Sequence, residues 1–212
     1  MRTKRNIPKR KPRYAFIVEG ECEFWYIQML KRNERSLRVD LKPEIPQKKK
    51  LKDQFKKVTE ASKEYDKVFW IIDFDVLIKE SREIKKDTKT PIQFLKEYTL
   101  KISSKYDNIE VIINNPCVEF WFLLHFESTG KFFRNCESAT KQLIKYLPDY
   151  EKNQRYYTKQ NNDIYKKLKP RLKVAIDNSK KINDFDFNNP ETGTCQMHLM
   201  YETKSIKDGL EK

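Results

Sequence analysis

Two short apolar segments of the chain end in acidic residues that could bind a metal ion. Glu19 follows residues 14–18, and Asp73 and Asp75 follow residues 68–72. Both segments predict buried strands, and the carboxyl ends of parallel strands meet at one edge of a sheet. Carboxylates brought together there would suit Mg²⁺, which takes oxygen ligands and keeps several waters. Bound Mg²⁺ can activate water and stabilise the charge on a phosphate in transfer.

The spacing of Asp73 and Asp75 allows a structural interpretation as well. Two residues apart in an extended backbone, their side chains would leave the same face. However, an acid between a strand and a helix is often only an N-cap, and Asp-x-Asp pairs are common in solvated loops. Glu21 and Glu23, in the first turn of the next predicted helix, are interpreted as partners of the helix dipole rather than as ligands.

Glu119 and His125 are the polar exceptions in an apolar helix predicted over residues 118–126. Glu119 lies in its first turn, after the fourth predicted strand, so it is a candidate fourth acid at the same edge, with capping as the alternative. His125 points about 120° away from Glu119 around an ideal helix. We interpret it as a core histidine bonded to a backbone carbonyl, with an accessory role in proton transfer as the alternative.

The order of elements predicts the fold that positions these residues. Strand and helix patterns alternate four times between residues 14 and 128, which predicts a doubly wound α/β fold with a mainly parallel sheet. The second strand is predicted over residues 37–41. Beyond Gly130 the chain is lysine-rich and helical, with a helix over 161–178 kinked at Pro170. We therefore predict a basic arm over 1–13, a core over 14–128 and a mainly helical extension over 129–212 that packs on the core.

The charge of the chain predicts contact with nucleic acid. Its 212 residues include 45 Lys+Arg against 31 Asp+Glu, a formal net charge of +14. Such a surface attracts phosphates, and a basic arm that lies along them releases counterions; a solubilising tail is the alternative. Tyrosines among the cations of the extension predict base stacking, with an ordinary wet helix surface as the alternative. The cations of the arm are Arg2, Lys4, Arg5, Lys9, Arg10, Lys11 and Arg13, and the tyrosines are Tyr156, Tyr157 and Tyr165.

Apolar runs and cysteines favour a cytoplasmic protein. No apolar run approaches the roughly 20 residues that span a bilayer, and no apolar core follows the basic N-terminus as in a signal peptide. The four cysteines lack the paired spacing of a zinc site. Because a disulfide is improbable without an export signal, we expect reduced, mostly buried thiols.

Four parts of the chain resemble known families. Residues 18–21 (VEGE) and 72–75 (IDFD) resemble the acidic motifs of the Toprim domain of topoisomerases, primases and OLD-type nucleases. Residues 115–126 (NPCVEFWFLLHF) are similar to the signature of RloB-like proteins, a small Toprim-related family of bacterial restriction and phage-defence loci. The end of the chain, Asn189-Pro190 and residues 192–199, is also similar to that family, so the resemblance spans about residues 13–201.

This resemblance implies a Toprim-like fold and a metal-dependent nuclease. Glu19 would be a general acid/base or metal ligand, and Asp73 and Asp75 would bind Mg²⁺ or Mn²⁺. It further implies cleavage of nucleic acid by a toxic effector in abortive infection. Topoisomerase activity is not expected, because residues 76–78 (VLI) follow Asp75 in place of a basic residue and glycine, and no tyrosine can be assigned as the nucleophile.

Three functions stay open. The first is Mg²⁺-dependent phosphodiester cleavage of RNA, tRNA included, or of DNA, under the restraint of a partner such as a defence ATPase. The alternative is a non-catalytic Toprim-shaped module that binds nucleic acid or docks on a partner. Phosphoryl or nucleotidyl transfer without strand cleavage is a third possibility, which would use the same acids and need a nucleoside triphosphate. The lack of a G-x-x-x-x-G-K-[ST] motif and the presence of only four glycines argue against a P-loop ATPase, but not against all nucleotide use.

Overall fold

The computed structural model describes residues 10–47, 50–84, 88–182 and 184–211. Arg2, Lys4, Arg5 and Lys9, predicted to contact nucleic acid, lie outside these ranges. Within them, no helix has the length and apolar character needed to cross a membrane. The strands are β1 (Arg13–Val18), β2 (Asp40–Glu44), β3 (Lys67–Asp73), β4 (Ile109–Asn115) and β5 (Thr194–Cys195). The helices are α1 (Glu21–Asn33), α2 (Leu51–Ala61), α3 (Phe74–Arg82), α4 (Pro91–Lys105), α5 (Val118–Leu124), α6 (Cys136–Leu143), α7 (Gln154–Thr158), α8 (Ile164–Leu168), α9 (Leu172–Lys180), α10 (His198–Glu202) and α11 (Lys204–Leu210).

The five strands form one sheet in the order β2-β1-β3-β4-β5. The first four strands are parallel, and the short β5 pairs antiparallel with β4. The prediction of a doubly wound, mainly parallel α/β fold of Toprim-like type is therefore confirmed. The second strand begins at Asp40, later than predicted, and includes Pro43. Proline is tolerated there because β2 is an edge strand, where a missing N–H breaks no ladder hydrogen bond.

Alternate residues of the central strands enter two different apolar clusters. Phe16 and Ile71 pack with α1, α5 and the helices that follow, whereas Ile17 and Trp70 pack with α2, α3 and α4. This alternation follows from the two-residue period of a strand. The sheet is therefore covered on both faces, and its strand ends are the natural place for a site.

The helices after residue 130 complete the cluster around α1. Tyr156, Tyr157 and Tyr165 are all buried in it, so the prediction that they stack on bases is wrong. Asp163 fixes this arrangement, because it accepts hydrogen bonds from Arg32 at 2.8 Å and from Asn33 at 3.1 Å. The helix predicted over 161–178 is two helices, since Pro170 removes a backbone donor and a 3₁₀ turn (Lys169–Arg171) separates α8 from α9.

A disulfide joins Cys117 to Cys136, and the prediction that the cysteines are reduced is wrong for this pair. Their Cα atoms are 5.5 Å apart, because α6 begins beside the N-terminus of α5. Only the tertiary fold brings these two positions together, which is why their sequence spacing gave no sign of the bond. Cys22 and Cys195 are free thiols.

Candidate metal centre

An acidic cleft lies where β1 and β3 end side by side. The connection after β1 runs to one side of the sheet and that after β3 to the other, so a crevice opens between their carboxyl ends. The cleft has a volume of about 310 Å³. Among the described residues that line it, Lys152 is the one cation. The acids that line it are Glu19, Glu21, Glu23, Asp73, Glu80 and Glu119.

Glu19 follows β1 and is held by a short chain of side chains. Gln54 Nε2 donates to Glu19 Oε1 at 3.3 Å, and Trp70 Nε1 donates to Gln54 Oε1 at 2.8 Å. The second carboxylate oxygen, Oε2, is buried and has no hydrogen-bond partner in the described part of the chain. Burial, and then the negative charge of Glu23, raises the pKa of Glu19 to about 8.

Asp73 and Glu23 face each other in the cleft. Asp73 occupies the N-cap position of α3, but its side chain makes no capping bond and instead hydrogen-bonds Glu23. Glu23 also accepts from the Gly20 N–H at 3.1 Å. Burial raises the pKa of both carboxyls, and the neighbouring charges of Glu23 and Glu119 raise that of Asp73 further. Two hydrogen-bonded carboxyls hold one proton between them unless a cation takes its place.

Asp75 does not line the cleft. The backbone becomes helical at Phe74, so the expectation that Asp73 and Asp75 leave one face of an extended chain is wrong. Asp75 Oδ2 accepts from the Cys136 N–H at 2.9 Å, and the side chain lines a neighbouring pocket with Lys79 and Arg82. Burial raises the pKa of Asp75.

Glu119, in the first turn of α5, is paired with a lysine. Its Oε1 accepts from Tyr150 Oη at 2.7 Å and from Lys152 Nζ at 2.8 Å. Its Oε2 lies 2.8 Å from the Sγ of Cys136. Burial opposes the charge of Lys152, but Glu119 outweighs it and raises the pKa of the lysine.

His125 lies in the core and does not line the cleft. Its Nδ1 is 3.0 Å from the carbonyl oxygen of Trp121, which is the contact that the core interpretation predicts. Its Nε2 is buried without a partner among the described residues. Burial lowers the pKa of His125 to about 4.

The described cations of the predicted arm lie at the opposite end of the sheet. Arg13 begins β1, and its guanidinium stacks over the ring of Tyr65. Arg10 pairs with Asp66 at 3.1 Å, and Lys11 is exposed. Six residues of strand separate Arg13 from Glu19, a distance of about 20 Å. These cations therefore do not contribute to the cleft itself.

Among the charged residues of the cleft that sequence reasoning missed, Glu23 and Lys152 are the two that pair with a predicted site residue. Glu23 was assigned to the helix dipole; the signal that could have included it is its place one turn after Glu19, at the same strand end. Lys152 carries no such signal, because nothing in its spacing sets it apart from the other lysines of the extension.

The donor set of the cleft fits a hard divalent cation. Oxygen ligands suit Mg²⁺, and two of them, Glu19 Oε2 and Asp73 Oδ1, are buried carboxylate oxygens without a partner among the described residues. A cation would also offset the mutual repulsion that raises the pKa of Asp73. The ligand atoms of Cys117, Glu119 and Cys136 also lie within 4.8 Å of one another, but the two sulfurs are bonded to each other and offer no thiolate.

Comparison with known proteins identifies one family. The family model described as RloB-like protein matches residues 14–203. The search of curated proteins found no match, and neither did the search of solved structures.

Proposed function

The chain belongs to the RloB-like protein family, and on that basis we propose that it is a Mg²⁺-dependent nuclease that cleaves phosphodiester bonds in nucleic acid. One observation carries this proposal: Glu19 and Asp73 both line the cleft between β1 and β3, and each has a buried carboxylate oxygen without a hydrogen-bond partner in the described part of the chain. Leaving such groups charged and without a partner is costly, so each must hold either a proton or a cation.

Glu19, Asp73 and Glu23 would hold the metal. Bound there, Mg²⁺ would offset the charge of a phosphate and favour deprotonation of a water molecule. Gln54 keeps Glu19 oriented, because it donates to Oε1, while Oε2 has no partner among the described residues. Gly20 holds Glu23 in the same way through its N–H. Asp75 is left out of the ligand set, because it does not line the cleft.

Lys152 would bind a phosphate oxygen of the substrate. Its side chain is nearly half exposed, whereas that of its partner Glu119 is almost fully buried. Glu119, itself held by Tyr150, therefore anchors the lysine, whose Nζ also lies 3.1 Å from the Sγ of Cys136, and the exposed part of the side chain stays accessible to a phosphate. A phosphate that enters an acidic cleft needs such a cation beside the metal.

The basic surface next to the cleft would hold the rest of the nucleic acid. Arg134 lines the pocket shared with Asp75 and also a second pocket whose cations are Lys131, Lys141 and Lys145. Phosphates on this surface would release counterions. We retain the basic arm, residues 1–13, as a further contact with the nucleic acid.

Two variants two residues apart test the metal site. We expect Asp73→Asn to abolish saturable Mg²⁺ binding in calorimetry and Asp75→Asn, the same change outside the cleft, to retain it. If both variants bind like wild type, or both lose binding, the assigned ligand set is wrong.

Cleavage is tested with labelled RNA and DNA oligonucleotides in Mg²⁺ and in Mn²⁺. We expect Lys152→Gln to retain Mg²⁺ binding and lose roughly 100-fold in cleavage rate, the usual effect of removing one charge-stabilising donor. A wild type that binds oligonucleotide but no metal would contradict the nuclease and favour the alternative, a non-catalytic nucleic-acid-binding or docking module.

Family membership also supports a cellular role in phage defence. We propose a toxic cytoplasmic effector that is restrained by a partner chain, with a defence ATPase as the candidate. Expression of the wild type without its partner should then inhibit growth, and expression of Asp73→Asn at the same level should not.

A further inference from the structure

The disulfide lies against one of the acids of the cleft. Cys117 is the N-cap residue of α5, which carries Glu119 in its first turn, and Cys136 is the first residue of α6. The Sγ of Cys136 lies 2.8 Å from Glu119 Oε2 and 3.1 Å from Lys152 Nζ. A change at this sulfur therefore acts directly on Glu119 and its lysine.

The oxidation state of the sulfur decides what Glu119 Oε2 can bind. A disulfide sulfur carries no proton, so it cannot donate to the carboxylate, whereas a thiol S–H at the same place can. The other oxygen, Oε1, already accepts from Tyr150 and Lys152. Because Glu119 lines the cleft, a thiol that donates to Oε2 would offset part of the negative charge that Glu119 presents to a cation held there, whereas the disulfide leaves that charge unchanged.

We propose that Cys117 and Cys136 are a reversible redox pair that exchanges with small thiols and disulfides, and that its reduction weakens cation binding in the cleft. The second half rests on the proposed metal function; the first does not. Thiol and disulfide reagents act on this site at the sulfur of Cys136, which is only partly buried, whereas Cys117 is almost fully buried.

The exchange is a balanced two-electron reaction with a thiol such as glutathione. Its thiolate attacks the Sγ of Cys136, the S–S bond breaks, and Cys117 leaves as a thiolate that takes up a proton. A second glutathione attacks the mixed disulfide, which releases Cys136 as a thiol and glutathione disulfide as the oxidised product. Lys152, beside Cys136, stabilises the negative charge that sulfur carries during attack.

The first experiment titrates the pair in glutathione buffers and traps free thiols with a maleimide of known mass. We expect a single two-electron transition of Cys117 and Cys136. Cys22→Ser removes the free cysteine of the cleft and should leave this transition unchanged. A pair that stays fully reduced, or fully oxidised, over the whole glutathione range overturns the redox half of the proposal.

The second experiment compares Mg²⁺ affinity in calorimetry between the oxidised and reduced proteins. We expect the oxidised form to bind roughly tenfold more tightly, the effect of one hydrogen bond to a charged group. By linkage, saturating Mg²⁺ should then shift the redox midpoint by about 30 mV toward the disulfide. Equal affinities of the two forms overturn the coupling.

Two variants test whether Mg²⁺ affinity depends on a hydrogen-bond donor to Glu119 or only on the presence of the disulfide. Both Cys136→Ser and Cys136→Ala lack the disulfide, but only serine offers a hydroxyl donor to Glu119. We expect Cys136→Ser to bind Mg²⁺ like the reduced protein and Cys136→Ala like the oxidised one. Equal affinities of the two variants contradict the coupling. If no form binds Mg²⁺, the proposed metal function and the coupling both fail, while the glutathione titration still decides whether the pair is reversible.

Discussion

Glu19→Gln should stabilise the metal-free protein and abolish its response to Mg²⁺. Burial raises the pKa of Glu19 from an ordinary 4.5 to about 8, so the folded state binds this proton more tightly than the unfolded state. The resulting stabilisation is complete below pH 4.5 and is lost as the pH rises through 8. At about 1.4 kcal/mol for each pH unit, the loss amounts to about 3 kcal/mol at pH 7. Glutamine keeps the contact with Gln54 and has no proton to lose.

The measurement is urea unfolding in EDTA at pH 4, 7 and 8.5, repeated with saturating Mg²⁺. In EDTA, we expect Glu19→Gln to exceed the wild type by about 3 kcal/mol in free energy of unfolding at pH 7 and to match it at pH 4. Added Mg²⁺ should stabilise the wild type and not the variant, because binding to the folded state alone raises stability. Glu21→Gln, at the exposed rim of the same cleft, is the matched control and should follow the wild type.

One result would refute this reasoning. If the metal-free wild type and Glu19→Gln show the same pH dependence of unfolding, the Glu19 carboxyl is not buried against other negative charges. The electrostatic basis for a cation in the cleft would then be lost, whatever the activity of the protein.

Two further predictions concern other residues. Gly20→Ala should weaken Mg²⁺ binding roughly tenfold in calorimetry, the effect of one lost hydrogen bond to a charged group. The Cβ of the alanine would lie 2.9 Å from Glu23 Oε2 and displace that carboxylate. Gly130→Ala is the control and should bind Mg²⁺ normally, because a Cβ there meets nothing within 4 Å. His125 has its pKa lowered to about 4 by burial, so the unfolded state alone takes up its proton as the pH falls from 6.5 to 4. The wild type should lose about 3 kcal/mol over that range relative to His125→Gln, and parallel unfolding curves would contradict the buried, neutral histidine.

Much of the fold follows from local sequence patterns. The apolar runs that form β1, β3 and β4 and the helical periodicity between them determine a parallel sheet, because such strands must be covered on both faces. The predictions that were wrong concern features that depend on tertiary contacts. The edge position of β2 tolerates Pro43, and the packing of α7 and α8 on α1 buries tyrosines that their lysine-rich surroundings assign to the surface.

Only part of the candidate site can be predicted from the sequence. Glu19 and Asp73 stand at strand ends, so topology alone brings them together. Asp75 was included because the backbone was taken to stay extended through residue 75, whereas β3 ends at Asp73 and a helix that begins at Phe74 turns the Asp75 side chain away. Lys152 reaches the cleft from the connection between α6 and α7, a placement that depends on every packing contact in between.

This placement of Lys152 has a consequence for synthesis of the chain. During translation, the ribosome adds Glu19, Glu23, Asp73 and Glu119 before it adds the lysine that offsets their negative charge. A nascent chain that ends before Lys152 would have to bury Glu119 without its ion pair, at a cost of several kcal/mol. We therefore expect the cleft to reach its final arrangement only after the α6–α7 connection has emerged, so that an effector of the proposed kind would stay inert while it is still being translated.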